Sequence, residues 1–166
     1  MASINGIQIK SLKSFKDHDG YTVYQGNIYY KGKKLGFWSE DSWGGCDTFH
    51  FDESILDAEV ERYRKSHMVE DRFRSLVSIE SMLIDIVHLM DDEKMYKKAL
   101  KNGHTTLMIA TDGYHVFATS CVSTDDRPLK MRWRREFVDD CKKQFFDTWD
   151  GKVTFYESLD DFNVTV

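Results

Sequence analysis

The sequence predicts an α+β fold in which two small antiparallel sheets flank a long central helix. β-rich runs broken by turn residues fill the N-terminal part, a long helical pattern follows, and more β-rich runs come after Gly103. Each sheet is expected to belong to a strand-strand-strand-helix unit. The predicted organisation is therefore a sheet and helix over residues 1–66, a central helix over 67–103, and a second sheet and helix over 104–166.

The N-terminal unit is predicted from a strand meander. Residues 3–15 and 21–31 are rich in Ile, Val and Tyr, and the glycine-containing segment Lys31–Lys34 predicts a hairpin turn. A short strand is expected over 48–52. Asp52 or Ser54 then caps a helix that runs to about Ser66.

The central helix is the strongest helical pattern in the chain. It runs from Val69 to about Asn102 and is closed by Gly103. Most residues between Leu76 and Met90 are apolar, which is typical of a helix covered on several sides. One narrow polar stripe interrupts this surface, and it consists of Glu70, Arg74, Ser78, Ser81, Asp85, His88 and Asp92.

The C-terminal unit is predicted from a second meander. Residues 105–111 and 114–122 form a hairpin around Asp112-Gly113, and a third strand over 129–133 is expected to pair with them. A helix follows over 134–149, and a last strand over 153–156.

Composition excludes several classes of protein. A chain of 166 residues that is 41% hydrophobic and 14% aromatic can bury a core, so disorder is excluded as its main state. Its three cysteines include no C-x-x-C pair, which argues against a disulfide framework or a zinc ribbon. No membrane-length apolar run or signal sequence is visible, so a cytoplasmic protein is expected. The motifs of P-loop enzymes, dinucleotide-binding folds, serine hydrolases, zinc metalloproteases and kinases are not found.

Three residues are candidates for catalysis: His50, Asp52 and Glu80. On an extended segment His50 and Asp52 share one face, where they can bind a divalent metal or act as a base with its orienting carboxylate. The alternative is that both are solvated. Glu80 falls inside the apolar face of the central helix, where a carboxylate is costly unless it is paired or protonated.

A structural pairing of Glu80 is the more common arrangement. Candidate partners for it are Arg72, Arg132 and Arg135. Asp85, His88 and Asp92 on the polar stripe are a second candidate metal set, with a solvated helix face as the alternative. The identity of any metal is left open.

A basic cluster surrounds Trp133. It contains no acidic residue and consists of Arg127, Lys130, Arg132, Arg134 and Arg135. Guanidinium groups pair with phosphates and an indole stacks on bases, so the cluster is typical of an RNA contact. On the expected strand, Lys130, Arg132 and Arg134 would share a face. The alternative is an edge strand that its charges protect from aggregation.

Two further segments are candidates for partner contacts. Lys31, Lys33 and Lys34 at the first hairpin turn would extend the basic footprint. Trp43, followed by Gly44-Gly45, suits contact with a partner or a stacked base, unless its indole folds back onto its own sheet. Paired strands and an exposed Trp43 are also compatible with a homodimer.

Three segments resemble small accessory proteins that prophages and plasmids of Gram-positive bacteria carry. The segments are the hairpin Gly20–Lys34, the loop Asp41–Gly45 and the ending Tyr156–Asn163. Some such proteins are anti-CRISPRs that disable Cas9, either by occupying the protein or by damaging its guide RNA. The resemblance implies a bacterial cytoplasmic location and host machinery as the partner.

The leading hypothesis is a mobile-element anti-defence protein that binds and inhibits a nucleic-acid-guided effector, Cas9 or its guide RNA, without chemistry and without a cofactor. The first alternative is a metal-dependent ribonuclease that trims guide RNA with Mg²⁺ or Mn²⁺. The second is a protein-binding regulatory or scaffold protein of a mobile element.

Overall fold

The computed structural model describes residues 1–66, 77–111, 116–122, 127–145 and 152–166, with side chains for 1–66, 77–111, 116–122, 131–143 and 153–166. It confirms the α+β fold class. The strands are β1 (Ser3–Ile4), β2 (Ile7–Lys16), β3 (Thr22–Tyr30), β4 (Lys33–Ser39), β5 (Thr48–Phe49), β6 (Thr106–Thr111), β7 (Val116–Cys121), β8 (Lys152–Tyr156) and β9 (Asn163–Val164). The α-helices are α1 (Asp57–Ser66), α2 (Ile79–Lys101) and α3 (Arg127–Phe145).

The chain divides into two compact units. One contains residues 1–90 together with 162–166, and the other contains residues 91–161. Helix α2 begins in the first unit and ends in the second, with the boundary after Met90. Among the described residues, no helix is both long enough and apolar enough to cross a membrane.

The first unit is built on a six-stranded sheet in the order β5-β4-β3-β2-β1-β9. The turn between β3 and β4 is Lys31-Gly32, with φ of 48° and 81°, as a two-residue hairpin that matches the twist of its strands requires. This confirms the predicted hairpin. The sheet is antiparallel except at its edge, where β1 pairs with β9 in parallel.

One face of this sheet is covered by an apolar core. Ile7 and Ile9 alternate along β2, and Ile28 and Trp38 join them; all four are fully buried. The helices contribute fully buried Leu56, Met82, Leu83, Ile86 and Val87. The apolar side of α2 is therefore a core face, as the sequence predicts.

Helix α1 is preceded by a short 3-10 helix, Glu53–Leu56. Asp52 is its N-cap, and its carboxylate accepts a hydrogen bond of 3.1 Å from the Ser54 N–H. The expected strand over 48–52 is therefore only the two residues of β5. Asp52 is not part of the strand, because its side chain caps the helical turn by accepting from the N–H of Ser54.

The second unit contains a three-stranded sheet in the order β7-β6-β8. Five of the six residues of β6 are buried, as expected for its central strand. The antiparallel pairing of β6 with β7 confirms that the two runs form a hairpin. Thr111 pairs with Val116, however, so four residues separate the paired positions rather than the expected two, and those four lie outside the described residues. Gly103, with φ of 80°, follows the end of α2, where a left-handed residue satisfies the last carbonyls of a helix.

The expected strand over 129–133 is wrong, because these residues belong to α3. Leu129, Trp133, Phe137 and Cys141 recur every four residues, which is a helical period, and the surrounding Lys, Met and Arg favour helices. The third strand of the sheet is β8, which pairs with β6. The second unit thus does not repeat the strand-strand-strand-helix order.

Candidate functional site

The described arginines of the basic cluster are exposed on α3. Arg132, Arg134 and Arg135 are all exposed, while Arg127 and Lys130 are located by their backbone alone. The shared face expected on a strand is wrong, since residues two apart point about 200° apart on a helix. The first turn of α3 holds no acidic residue, so the positive end of the helix dipole adds to the cationic charge.

Two of these arginines have protein contacts. Arg132 Nε lies 3.1 Å from Glu136 Oε1, and the guanidinium of Arg134 lies 4.2 Å from the centre of the Phe155 ring. An exposed ion pair one helical turn apart contributes little stability and exchanges readily for another anion. Arg132 and Arg135 are therefore the better placed to contact a phosphate, while Arg134 also packs against β8.

Trp133 does not project freely from the basic cluster. It is half-buried and forms one wall of a cleft of about 400 Å³ between the sheet of the second unit and α3. The sheet supplies Met108, Phe117, Ala118, Thr119 and Cys121, and α3 supplies Trp133, Glu136, Phe137, Asp140 and Cys141. The indole of Trp133 is therefore not displayed on the surface for stacking, as expected, but lines a cleft.

Strand register explains how the cleft is built. Met108 of β6 lies directly opposite Thr119 of β7, so the two side chains share one sheet face. Phe117 and Cys121 share this face, since side chains alternate along a strand. Burial raises the pKa of the Cys141 thiol, which therefore stays protonated at neutral pH.

The hairpin lysines differ in their contacts. Lys31 Nζ lies 4.7 Å from the centre of the Tyr30 ring and 3.9 Å from Glu59 Oε1. Its contact with Tyr30 raises the pKa of Lys31, so it is cationic at neutral pH. Lys33 and Lys34 are exposed at the start of β4. These three belong to the first unit and α3 to the second.

Trp43 is displayed on the surface with 76% of its area exposed. Its ring stacks on His18, with the centroids 4.3 Å apart. The Asp41 carboxylate fixes the loop by accepting hydrogen bonds from the N–H groups of Trp43 and Gly45, at 3.2 and 2.7 Å. The expected contact residue is thus held in place and accessible.

His50 and Asp52 do not form the arrangement that the sequence suggests. His50 is exposed beyond the end of β5, and its ring lies 5.9 Å from that of Phe37. Both the hydroxyl and the N–H of Ser54 donate to Asp52, which lowers the pKa of Asp52. The role that the structure gives Asp52 is to cap a helical turn.

Glu80 also differs from its expected setting. It is half-buried in the first turn of α2, where a carboxylate interacts favourably with the helix dipole. It accepts a hydrogen bond of 2.5 Å from the Ser78 hydroxyl. The contact shown is therefore with a serine rather than with the expected arginine; Arg72 lies outside the described residues.

The polar stripe on α2 is used for hydrogen bonding to tyrosines. Asp85 accepts from Tyr63 in the first unit, and Asp92 accepts from Tyr156 in the second, at 2.5 and 2.7 Å. His88 is exposed. Within the described ranges, no three His, Cys, Asp or Glu side chains are grouped as ligands of a metal ion.

A deeply buried carboxylate of the first unit, Glu59, is not among the candidates that the sequence marks. Glu59 is 2% exposed, accepts a hydrogen bond of 2.6 Å from the Tyr30 hydroxyl, and pairs with Arg62 at 3.2 Å. Leu56, Val60 and Tyr63 recur at helical spacing, and Glu59 lies on the same face. This pattern could have indicated that Glu59 is buried.

Comparison of the chain with protein-family models, curated proteins and solved structures returns no match.

Proposed function

We propose that the protein is an anti-defence protein of a mobile element that binds the guide RNA of a Cas9-type effector and inhibits the effector without chemistry. The observation that carries this proposal is the cluster of exposed arginines in the N-terminal half of α3. Arg132 and Arg135 lie about one turn apart there, and no acidic residue occupies the first turn. Guanidinium groups in this setting suit the closely spaced phosphates of a folded RNA.

Binding is favoured over cleavage by the contacts of the candidate catalytic groups. Asp52 caps a helical turn, Glu80 bonds to Ser78, and Asp85 bonds to Tyr63. A nuclease that uses metal ions needs carboxylates that converge on one or two cations. These three carboxylates are instead engaged at separate points of the fold, each with a structural partner.

The negative net charge of the chain outside the basic cluster supports the proposal that the target is a complex of RNA and protein. The chain has a net charge of −5, so RNA binding depends on a local cationic surface while the rest suits basic protein channels. The exposed Trp43, whose N–H donates to Asp41, is the type of residue that anchors such a protein contact.

A gel-shift titration with labelled guide RNA tests the proposal. The full chain is compared with a double charge reversal, Arg132→Glu with Arg135→Glu, at several salt concentrations. The matched control is Lys98→Glu with Lys101→Glu, which makes the same charge change at the same spacing in the last turn of α2. We expect the arginine variant to lower the slope of log affinity against log salt by about 1 per lost phosphate contact, and the control to change it less.

Denaturing gels with Mg²⁺, Mn²⁺ or EDTA separate binding from cleavage. Intact RNA that shifts on the native gel, together with loss of target cleavage by the effector, supports the proposal. RNA that is shortened only with a metal, and not by the His50→Ala variant, would establish the nuclease alternative instead. An affinity that does not depend on salt would contradict the role of α3.

A further inference from the structure

The walls of the cleft in the second unit are suited to a flat, aromatic ligand. Three rings line it, those of Phe117, Trp133 and Phe137, and Met108 lies on the same sheet face as Phe117. Its volume of about 400 Å³ lies within the range of small-molecule sites. A nucleobase offers two apolar faces that stack on such rings, and aromatic side chains are the usual platforms for unpaired bases.

The helical side of the cleft supplies polar groups of both signs. Arg132, Glu136, Asp140 and Lys143 follow one another along α3, joined by ion pairs of 3.1 Å and 3.5 Å. Glu136 and Asp140 line the cleft, so Arg132 and Lys143 lie beside it. All four side chains are more than half exposed, so their hydrogen-bonding groups remain accessible to a ligand.

We propose that this cleft binds an unpaired RNA base, with guanine as the preferred base. The aromatic walls stack on the base, a carboxylate of Glu136 or Asp140 accepts from its edge, and Arg132 contacts the adjoining phosphate. This inference rests on the proposed function, since it names the part of the RNA that α3 recognises.

The preference for guanine follows from hydrogen-bond chemistry. The two oxygens of a carboxylate can accept from two adjacent N–H groups, and the Watson–Crick edge of guanine presents such a pair. Adenine and cytosine present one amino group there, and uracil presents one imino group. In a duplex these edges are already paired, so the cleft requires an unpaired nucleotide.

The cysteines provide a direct test, because Cys121 lines the cleft while Cys46 is exposed in the first unit. The full chain is alkylated with N-ethylmaleimide in the presence of millimolar guanosine 5′-monophosphate, cytidine 5′-monophosphate or neither. The rate at each cysteine is followed by mass spectrometry. We expect the guanine nucleotide to slow alkylation of Cys121 several-fold, cytidine 5′-monophosphate to slow it less, and Cys46 to be unaffected.

Three results would overturn the inference. They are no protection of Cys121, equal slowing of Cys46, and equal protection by the uncharged aromatic compound indole. The last would identify the cleft as a general apolar site that suits a protein side chain.

A pair of substitutions on β7 tests the site without removing a core residue. Thr119 is exposed and lies on the cleft side of the strand, so Thr119→Trp fills the cleft. Val116→Trp places the same indole on the opposite face, where Val116 is 61% exposed. Calorimetric titration with guanosine 5′-monophosphate is expected to show binding to the Val116 variant and its loss in the Thr119 variant. Equal binding by both would place the nucleotide elsewhere and overturn the inference.

The proposed function and this inference fail separately. Salt-dependent binding of guide RNA without nucleotide protection of Cys121 would retain the RNA-binding function and reject the base site. Protection of Cys121 in a chain that does not shift guide RNA would establish the nucleotide site and reject the proposed function.

Discussion

The phenol of Tyr63 donates a hydrogen bond to the carboxylate of Asp85, and this contact joins α1 to α2 within the first unit. Burial, followed by the contact with Asp85, raises the pKa of Tyr63 far above its ordinary value, so the phenol remains a donor at neutral pH. The second unit repeats the arrangement with Tyr156 and Asp92. Two carboxylates on the polar stripe of α2 thus hold neighbouring elements in place.

Removal of the Tyr63 hydroxyl is expected to destabilise the first unit. In Tyr63→Phe the half-buried Asp85 loses a donor, and a hydrogen bond to a charged group contributes about 1.5 to 3 kcal/mol. Urea unfolding followed by circular dichroism measures the change. Tyr21→Phe is the control, since Tyr21 is 72% exposed, and its midpoint should match the parent. Equal midpoints for all three proteins would show that the Tyr63 contact contributes nothing.

Substitution of Glu59 is expected to be more costly than substitution of its neighbour Glu61. Glu59→Ala leaves the half-buried Tyr30 hydroxyl without its acceptor and removes the partner of Arg62, which should cost about 2 to 3 kcal/mol. Glu61 lies on the same helix in surface ion pairs, so Glu61→Ala should change stability by no more than about 0.5 kcal/mol. Denaturant unfolding of both variants measures the difference, and a larger loss in the Glu61 variant would contradict it.

Asp47 is expected to make the first unit less stable as the pH rises. Burial, more than the charge of Glu80, raises the pKa of Asp47 above the value of about 4 that it has in the unfolded chain. The folded state therefore binds this proton more tightly, and its contribution to stability is lost as the pH rises from about 4 through the folded pKa. Asp47→Asn removes this titration and retains an oxygen acceptor for the Trp38 indole N–H, which lies 2.7 Å away.

The measurable quantity is the free energy of unfolding of Asp47→Asn minus that of the parent, between pH 7 and pH 4.5. This difference should decrease as the pH falls, because protonation of Asp47 stabilises the parent and not the variant. Asp52→Ala provides the opposite sign, because the hydroxyl and N–H of Ser54 lower the pKa of Asp52. Its deficit relative to the parent should shrink as the pH falls from about 4 through the folded pKa, so this variant is also measured below pH 4.5. Parallel curves for the parent and Asp47→Asn would refute the burial argument.

Gly36 is expected to tolerate alanine less well than Gly26. A Cβ at Gly36 would lie 2.3 Å from the His50 carbonyl oxygen, so the backbone that leads out of β5 would have to move. At Gly26 the nearest atom is Ile9 Cγ2, at 2.6 Å, which belongs to a side chain. Overpacking costs about 1 to 3 kcal/mol, with Gly36→Ala at the upper end and Gly26→Ala at the lower. Thermal unfolding of the two variants gives their order, and a reversed order would contradict this account.

The elements with local signals are predictable from the sequence. The Lys31-Gly32 turn and the pairing of β6 with β7 follow from turn chemistry between β-rich runs. The start of α3 is not predicted correctly. Basic residues alternate around Trp133, and this pattern matches a strand as well as a helix. The helical period is visible only when Phe137 and Cys141 are included.

Tertiary contacts account for the errors at the candidate site. The sequence marks Glu80 as a buried carboxylate, but Glu80 lies at the start of α2 beside Ser78. Among the described residues the buried carboxylates are Glu59 and Glu93, and Glu59 belongs to the first unit. Its partner Tyr30 is 29 residues away, beyond what helical periodicity can reveal. The cleft around Trp133 depends likewise on α3 packing against the sheet that contains β6 and β7.

The parallel pairing of β1 with β9 determines when the six-stranded sheet can be completed during synthesis. Ser3 pairs with Asn163, the N–H of Val166 donates to the Asn5 side chain at 3.0 Å, and Phe162 is fully buried. Ser3 and Asn5 therefore cannot form these hydrogen bonds until residues about 160 positions later have been synthesised. A nascent chain that stops after residue 161 has its first five strands but an uncovered edge at β1. Such an intermediate is open to pairing with another chain, so the addition of β9 protects the edge at β1 against aggregation.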